Sequence, residues 1–255
     1  IRRPPRSTLS SSSAASDVYK RQDITILNKL GISFVVVHGG GPRIKRELDK
    51  SNIKSKFVRG LRVTDEKMIN IVESVLIDFN NDIVDSLKKF GTDAISIHTK
   101  KNNIIEVAPE TKELGFVGMP KKINNRLIEK ILNQKQVPII SPLGLGDDNR
   151  PYNINGDTAA GAIAKSLKSR RLLLMTNVKG VLDKDKKLIN EISSSEVLNM
   201  VKDNTITEGM IPKINTCLDA VKNGVAAVGI IDGRKQHSIL FEIFSDKGSG
   251  TLIRK

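Results

Sequence analysis

Ser33-Phe34-Val35-Val36-Val37-His38-Gly39-Gly40-Gly41-Pro42 compresses a strand, a turn and a helix start into ten residues. Phe34 to Val37 form an apolar, β-branched run of the length of a buried strand. Three glycines follow at once. They carry no Cβ, so the backbone can turn sharply and bring its N–H groups close to a ligand. Pro42 suits the first turn of a helix, which Arg43 to Asp49 can continue. A strand, a glycine turn and a helix N-terminus together form a pocket for phosphate or carboxylate. A glycine triplet of this kind also serves as a tight structural turn, so the rest of the chain must decide between the two.

From Asp23 onward, helical and strand periods alternate. Residues 23–30 read as a helix tail, 33–37 as a strand and 43–50 as a helix. Thr64 reads as an N-cap, with Asp65 and Glu66 in the first turn. Met68, Val72, Val75, Leu76, Phe79, Ile83, Val84 and Leu87 then recur at helical spacing up to Gly91. Strands are expected at 94–97, 137–141, 172–176, 226–231 and 251–253, and hairpins within 100–118. Helices are expected near 122–134, 157–168, 194–202, 213–223 and from Leu240. The fold class this predicts is α/β, a three-layer αβα sandwich around a mainly parallel sheet.

The 255 residues can build a sizeable core, and no apolar run approaches the ~18 residues of a membrane span. A single cysteine, Cys217, excludes an internal disulfide and fits a reducing cytoplasm. The net charge of +14 raises the question of nucleic acid, but aromatic residues are only 4% and do not alternate with the basic ones. The charge is spread out and reads as a solvated surface or a response to an anionic substrate. Neither nucleic acid nor membrane is expected as a partner. Residues 1–22 look foreign. They hold a Ser/Ala tract with five basic residues and show no helical or strand period. They also lack the apolar core of a secretory signal. This segment is expected to be non-native or disordered, with the natural N-terminus missing.

Four turns carry chemistry. The first is Gly39-Gly40-Gly41. Gly60-Leu61-Arg62-Val63-Thr64 places an arginine ahead of the long helix, where a guanidinium fork can hold a carboxylate. In Asn153-Ile154-Asn155-Gly156-Asp157, alternation puts both asparagines on one side, and Asp157 opens a small-residue helix, where it also suits an N-cap. Thr176-Asn177-Val178-Lys179-Gly180-Val181 follows an apolar strand and is joined by Gly209-Met210-Ile211-Pro212-Lys213. A lysine at a helix start opposes the helix dipole, which points to a job other than helix stability. Several chemistries are excluded. There is no G-x-x-x-x-G-K-[ST], no G-x-G-x-x-G after a strand, no G-x-S-x-G to accompany His38-Gly39-Gly40-Gly41, and no H-E-x-x-H or Cys/His cluster. Cys217, His98 and His237 read as structural.

The series VVVHGGGP, GLRVT, NING-D, LLLMTNVKGVLD, GMIPK and IIDGR with LFEIFSDKGSGTLI resembles the N-acetylglutamate kinases of the amino-acid kinase family. The resemblance spans about residues 23–255, in order and at matching spacing. It implies transfer of a phosphoryl group from ATP, with Mg2+ carried by the nucleotide, to the side-chain carboxylate of N-acetyl-L-glutamate in arginine biosynthesis. Other carboxylate or carbamate kinases of the fold, or a non-catalytic amino-acid sensor, are the alternatives. Gly40 and Gly41 match glycines that bind the reacting groups, and Arg62 matches the arginine for the α-carboxylate. Asn153 matches a substrate-binding asparagine, with Asn155 beside it. Asp157 matches the aspartate that orients catalytic lysines, and Lys213 matches one of those lysines. Thr176, Asn177, Gly180, Val181, Leu182, Gly209 and Met210 match the nucleotide site.

The resemblance further implies a substrate and dimerisation lobe over about 23–165, a nucleotide lobe over about 166–255, and a homodimer through the 65–90 helix. In arginine-inhibited members an N-terminal helix links dimers into a hexamer. The C-terminal stretch has their form, with Glu242 and Gly250 as the arginine-binding candidates. Two departures stand out. Gly156 replaces the alanine of N-A-D. Nothing in 1–32 matches the family's opening K-x-G-G strand, whose lysine is the second transition-state charge, so this chain is expected to be inactive as it stands.

Overall fold

A computed structural model of the chain describes residues 6–11, 17–206, 210–246 and 248–255. In chain order its elements begin β1 (Arg6–Ser11), α1 (Asp17–Lys29), β2 (Ser33–His38), α2 (Gly41–Lys50), β3 (Phe57–Val58), β4 (Leu61–Arg62) and α3 (Glu66–Lys89). They continue with β5 (Ala94–Ile97), β6 (Ile105–Pro109), β7 (Gly118–Ile123), α4 (Asn125–Asn133), β8 (Val137–Ile140), β9 (Leu143–Leu145), β10 (Pro151–Asn153) and α5 (Gly156–Ser166). The last are β11 (Arg171–Thr176), β12 (Glu191–Ser193), α6 (Ser194–Lys202), α7 (Ile211–Lys222), β13 (Ala227–Asp232), α8 (Ser238–Phe244) and β14 (Gly250–Arg254).

The chain divides into two compact units, Val35–Ala159, and Ile1–Phe34 with Ala160–Lys255. In the first, β2 and β5 flank β8 in parallel. A second, mostly antiparallel sheet runs β10-β9-β6-β7, and β3 pairs with β4. Ile44, Leu48, Met68, Val72, Leu76 and Leu143 form one buried cluster that joins α2, α3 and β9. In the second unit β11 lies between β1 and β13, both parallel to it, and β14 closes on β13 antiparallel. Leu172 to Leu174 are fully buried, as a central parallel strand covered on both faces requires. The sequence-predicted α/β class with mainly parallel pairing is what the molecule has.

Local differences have plain causes. Asp65, not Thr64, caps α3, its Oδ1 accepting from the Met68 N–H at 2.8 Å. Thr64 is fully buried because its backbone is tied to the 114–116 turn, Thr64 N–H to Leu114 O at 3.0 Å and Phe116 N–H to Thr64 O at 2.7 Å. Lys122 and Ile123 end β7, and the following helix starts after an Asn124 cap. Residues 1–22, expected without regular structure, contain β1, which satisfies the edge of β11, and the first turns of α1. The rest of that segment, 1–5 and 12–16, lies outside the described residues.

Candidate active site

Within the Val35–Ala159 unit, β2 ends in the glycine turn and hands it to α2. Gly40 is buried, and a Cβ there would lie 2.3 Å from Leu76 Cδ2 of α3. Only glycine fits under that leucine. A Cβ on Gly41 would meet nothing within 4 Å, so packing gives no reason for its glycine. The N-cap Gly40 brings no side-chain acceptor to α2, and the first bond of the helix is Ile44 N–H to Gly40 O at 2.9 Å. The opening amides therefore have no side-chain cap, and the positive end of the helix lies behind them.

Arg62 pairs across the β3–β4 ladder with Phe57, and its guanidinium lies 4.7 Å from that ring. Nη1 donates to Ser55 Oγ. Burial lowers the Arg62 pKa and Asp49 opposes the shift, which leaves a cation on a semi-rigid mount. Thr64 Oγ–H donates to Arg62 O at 2.9 Å, and Asn153 Nδ2 donates to Thr64 Oγ1 at 3.4 Å. Arg62 and Asn153, far apart in sequence, thus meet through one buried threonine. Asn155 behaves differently. Its Oδ1 accepts from the N–H groups of Asp157 and Thr158 at 3.0 and 3.1 Å, so Asn155 caps α5 and Asp157 does not. Asp157 sits in the first helical turn, half-buried, where its charge suits the dipole.

In the other unit, β11 delivers Thr176 into an exposed turn at Asn177 to Lys179. Gly180 has φ +147°, and a Cβ there would lie 2.5 Å from Thr251 Oγ1. That hydroxyl accepts from the Val181 N–H at 2.8 Å. Gly180, Val181, Leu182 and Met210 line a cavity of about 570 Å3, together with Asp183, Lys184, Lys186 and residues 203–206. Gly209 lies outside the described residues. The lining combines apolar residues with Lys184 and Lys186, a composition that can take a base and its phosphates. Sequence reasoning missed 183–186 and 203–206. The Asp203-x-Thr205 turn carried the signal, because such a pair bonds its own backbone. Asp203 is held down to about 2 by the Thr205 hydroxyl and Lys184. Lys213 occupies the first turn of α7 after Pro212. Gly161 lets α5 approach α7 closely, since a Cβ there would be 2.8 Å from Thr216 Cγ2, one turn beyond Lys213.

Glu242 is buried in α8, and its Oε2 accepts from the Ser249 N–H at 2.8 Å. Gly250 opens β14, and a Cβ would lie 2.0 Å from Ile230 O, so the sheet alone demands that glycine. No K-x-G-G occurs in β1 or in the residues that follow it; β1 reads Arg-Ser-Thr-Leu-Ser-Ser.

The amino acid kinase family model matches residues 11–232. An acetylglutamate kinase from Pelagibacter ubique is 54% identical over 234 residues, which cover 92% of this chain and 81% of that protein. One from Methylobacterium nodulans is 44% identical over 248 residues, covering 92% and 82%. Among solved structures, N-acetylglutamate synthase from Neisseria gonorrhoeae, complexed with coenzyme A and N-acetyl-glutamate, matches at TM-score 0.88 and 21% identity. The match covers 98% of this chain and 59% of that longer one. Carbamate kinase from Giardia lamblia bound to AMP-PNP matches at TM-score 0.74 and 14% identity, covering 99% of both. At those identities the two structures speak for the fold. The kinase sequences speak for more, and with them the chain belongs to the amino acid kinase family, beside its acetylglutamate kinases.

Proposed function

We propose that the protein transfers the γ-phosphoryl group of ATP to the side-chain carboxylate of N-acetyl-L-glutamate, giving N-acetyl-glutamyl phosphate and ADP for arginine biosynthesis. The observation that carries this reading is the 54% identity to an acetylglutamate kinase over 92% of the chain. The local geometry supports it. Phosphoryl transfer needs in-line placement and charge neutralisation rather than covalent help. The uncapped amides at Gly40 and Gly41 suit the reacting oxygens. Arg62, held by Ser55 and backed by the Phe57 ring, suits the α-carboxylate, with Asn153 and Asn155 for the acetylated amide. Lys213, at the start of a helix whose dipole it opposes, suits the negative charge of a transferring phosphoryl group. The cavity lined by Val178, Gly180 to Lys184, Asp203 to Ile206 and Met210 suits the nucleotide. Mg2+ would arrive on its phosphates and neutralise charge there. A carbamate substrate needs neither an α-carboxylate clamp nor paired asparagines, which favours the acetylated amino acid.

Three finer features belong to the same reading. Ile71 and Val75, one turn apart on α3, are only partly buried, which suits a homodimer. Arginine would be sensed beside Glu242 and Gly250. The cellular site would be the cytoplasm, in keeping with one buried free thiol, Cys217. The test is an ATP-coupled assay offering N-acetylglutamate, aspartate and carbamate, on the chain preceded by a K-x-G-G strand in place of residues 1–22. N-acetylglutamate is the expected substrate. Preference for either rival refutes the reading.

A further inference from the structure

We propose that His38 is a positioning residue that turns the Gly39–Gly40 peptide and holds the Gly40 N–H out toward the substrate carboxylate. The proposal rests on the reading of Gly40 given above, and its core is a buried network that fixes one tautomer. His38 is 2% exposed. Its Nδ1 lies 2.7 Å from Gly39 O, and its Nε2 lies 3.1 Å from both Ser141 Oγ and Asn80 Nδ2. A carbonyl oxygen only accepts, so Nδ1 carries the hydrogen. The Asn80 amide is oriented by two other bonds. Its Nδ2 donates to Ile139 O at 3.0 Å, and its Oδ1 accepts from the Ser96 hydroxyl at 2.6 Å. The second Asn80 N–H therefore points at Nε2, which must be bare to accept it. A proton on Nε2 would set two donors face to face. Phe79 meets the imidazole edge-on at 5.1 Å and fixes the ring plane.

The consequence lies in the peptide itself. In a trans peptide the C=O and the following N–H point in opposite directions. With Gly39 O drawn onto the buried imidazole, the Gly40 N–H points away from it. Among the described residues no carbonyl takes that N–H. A Cβ on Gly40 would meet Leu76, so the turn that carries this amide is bare backbone. Burial also keeps His38 uncharged, with Arg43 and His98 adding to that effect. The imidazole therefore acts as a fixed donor and takes no part in proton transfer.

The variants separate positioning from packing. Asparagine places its Nδ2 where imidazole Nδ1 sits and can donate to Gly39 O, but leaves a hole beside Asn80 and Ser141. Glutamine fills that hole and reaches Asn80 and Ser141, but offers nothing to Gly39. Calorimetric titration with N-acetylglutamate is expected to show His38→Gln weakening binding at least tenfold and His38→Asn by less than threefold, although His38→Asn is the less stable by thermal unfolding. Binding that follows stability overturns the proposal. So does a nitrogen-15 spectrum of the three histidines that places the His38 proton on Nε2. Absence of N-acetylglutamate binding to the unsubstituted protein overturns the substrate reading as well, and is told apart by affecting every form equally.

Discussion

Gly40 and Gly41 are neighbours that the structure uses for opposite reasons, and alanine at each position separates them. A Cβ on Gly40 would lie 2.3 Å from Leu76 Cδ2 and 3.5 Å from Ile44 Cδ1. Contacts under 3 Å cannot persist, and Leu76 is 1% exposed with little space to retreat. Overpacking of this kind costs about 1–3 kcal/mol. Leu76→Ala alone removes a buried leucine at about 2–5 kcal/mol but opens the space. Added to Leu76→Ala, Gly40→Ala should therefore cost almost nothing, and the cycle should show a coupling of about 1–3 kcal/mol. Gly41→Ala meets no atom and is expected to leave stability unchanged or to raise it by up to about 1 kcal/mol. It should nevertheless weaken N-acetylglutamate binding, because the added methyl stands where the ligand approaches. Urea unfolding of the parent and the four variants, with calorimetry on each, provides the data. Gly40→Ala as stable as the parent, or additive with Leu76→Ala, refutes the steric argument.

Lys213→Ala is expected to lower turnover at least a hundredfold with little change in unfolding midpoint, since one preorganised charge at a transferring phosphoryl group is worth about 3 kcal/mol or more; steady-state kinetics in the K-x-G-G-bearing form check it. Stability should fall on acidification through His38. Its folded form is pushed down to about 4 by burial from an ordinary 6.5, so its contribution is complete above 6.5 and lost as the pH drops toward 4. The loss is about 3 kcal/mol, and His38→Gln should remove it from the pH profile of urea unfolding. Glu242→Ala should raise the arginine concentration needed for inhibition, and calorimetry showing no arginine binding to the K-x-G-G-bearing form would remove the regulatory reading. Sedimentation of a monomer at micromolar concentration would count against a dimer through α3.

Much of the fold was legible because its signals are local. The run at Leu172 to Met175 could only be a strand buried on both faces, and Ser193 with Glu196 forms a capping box visible in sequence and present in α6. Caps that depend on distant contacts were not legible. Thr64 looked like the cap of α3, but the 114–116 turn takes its backbone and leaves the capping to Asp65. Asp157 reads as a cap of α5, but Asn155, two residues earlier, accepts from the Asp157 and Thr158 amides and takes that place. In the site, residue types at the right spacing gave Gly40, Arg62 and Asn153, while their supports were hidden. Ser55 under Arg62, Thr64 between Arg62 and Asn153, and Asn80 behind His38 act through tertiary contacts that no periodicity encodes. Residues 6–11 show the reverse failure. A polar serine tract has no strand signature of its own, yet it pairs with the edge of β11.

The most direct measurement of the central claim traps the product. An acyl phosphate reacts with hydroxylamine to give a hydroxamate, whereas simple ATP hydrolysis gives none. With ATP, Mg2+, N-acetylglutamate and hydroxylamine, the K-x-G-G-bearing form should yield N-acetyl-glutamyl hydroxamate and ADP in equal amounts. Aspartate in place of N-acetylglutamate should yield less than a tenth as much. ADP release without hydroxamate, or equal yields from both amino acids, contradicts the claim.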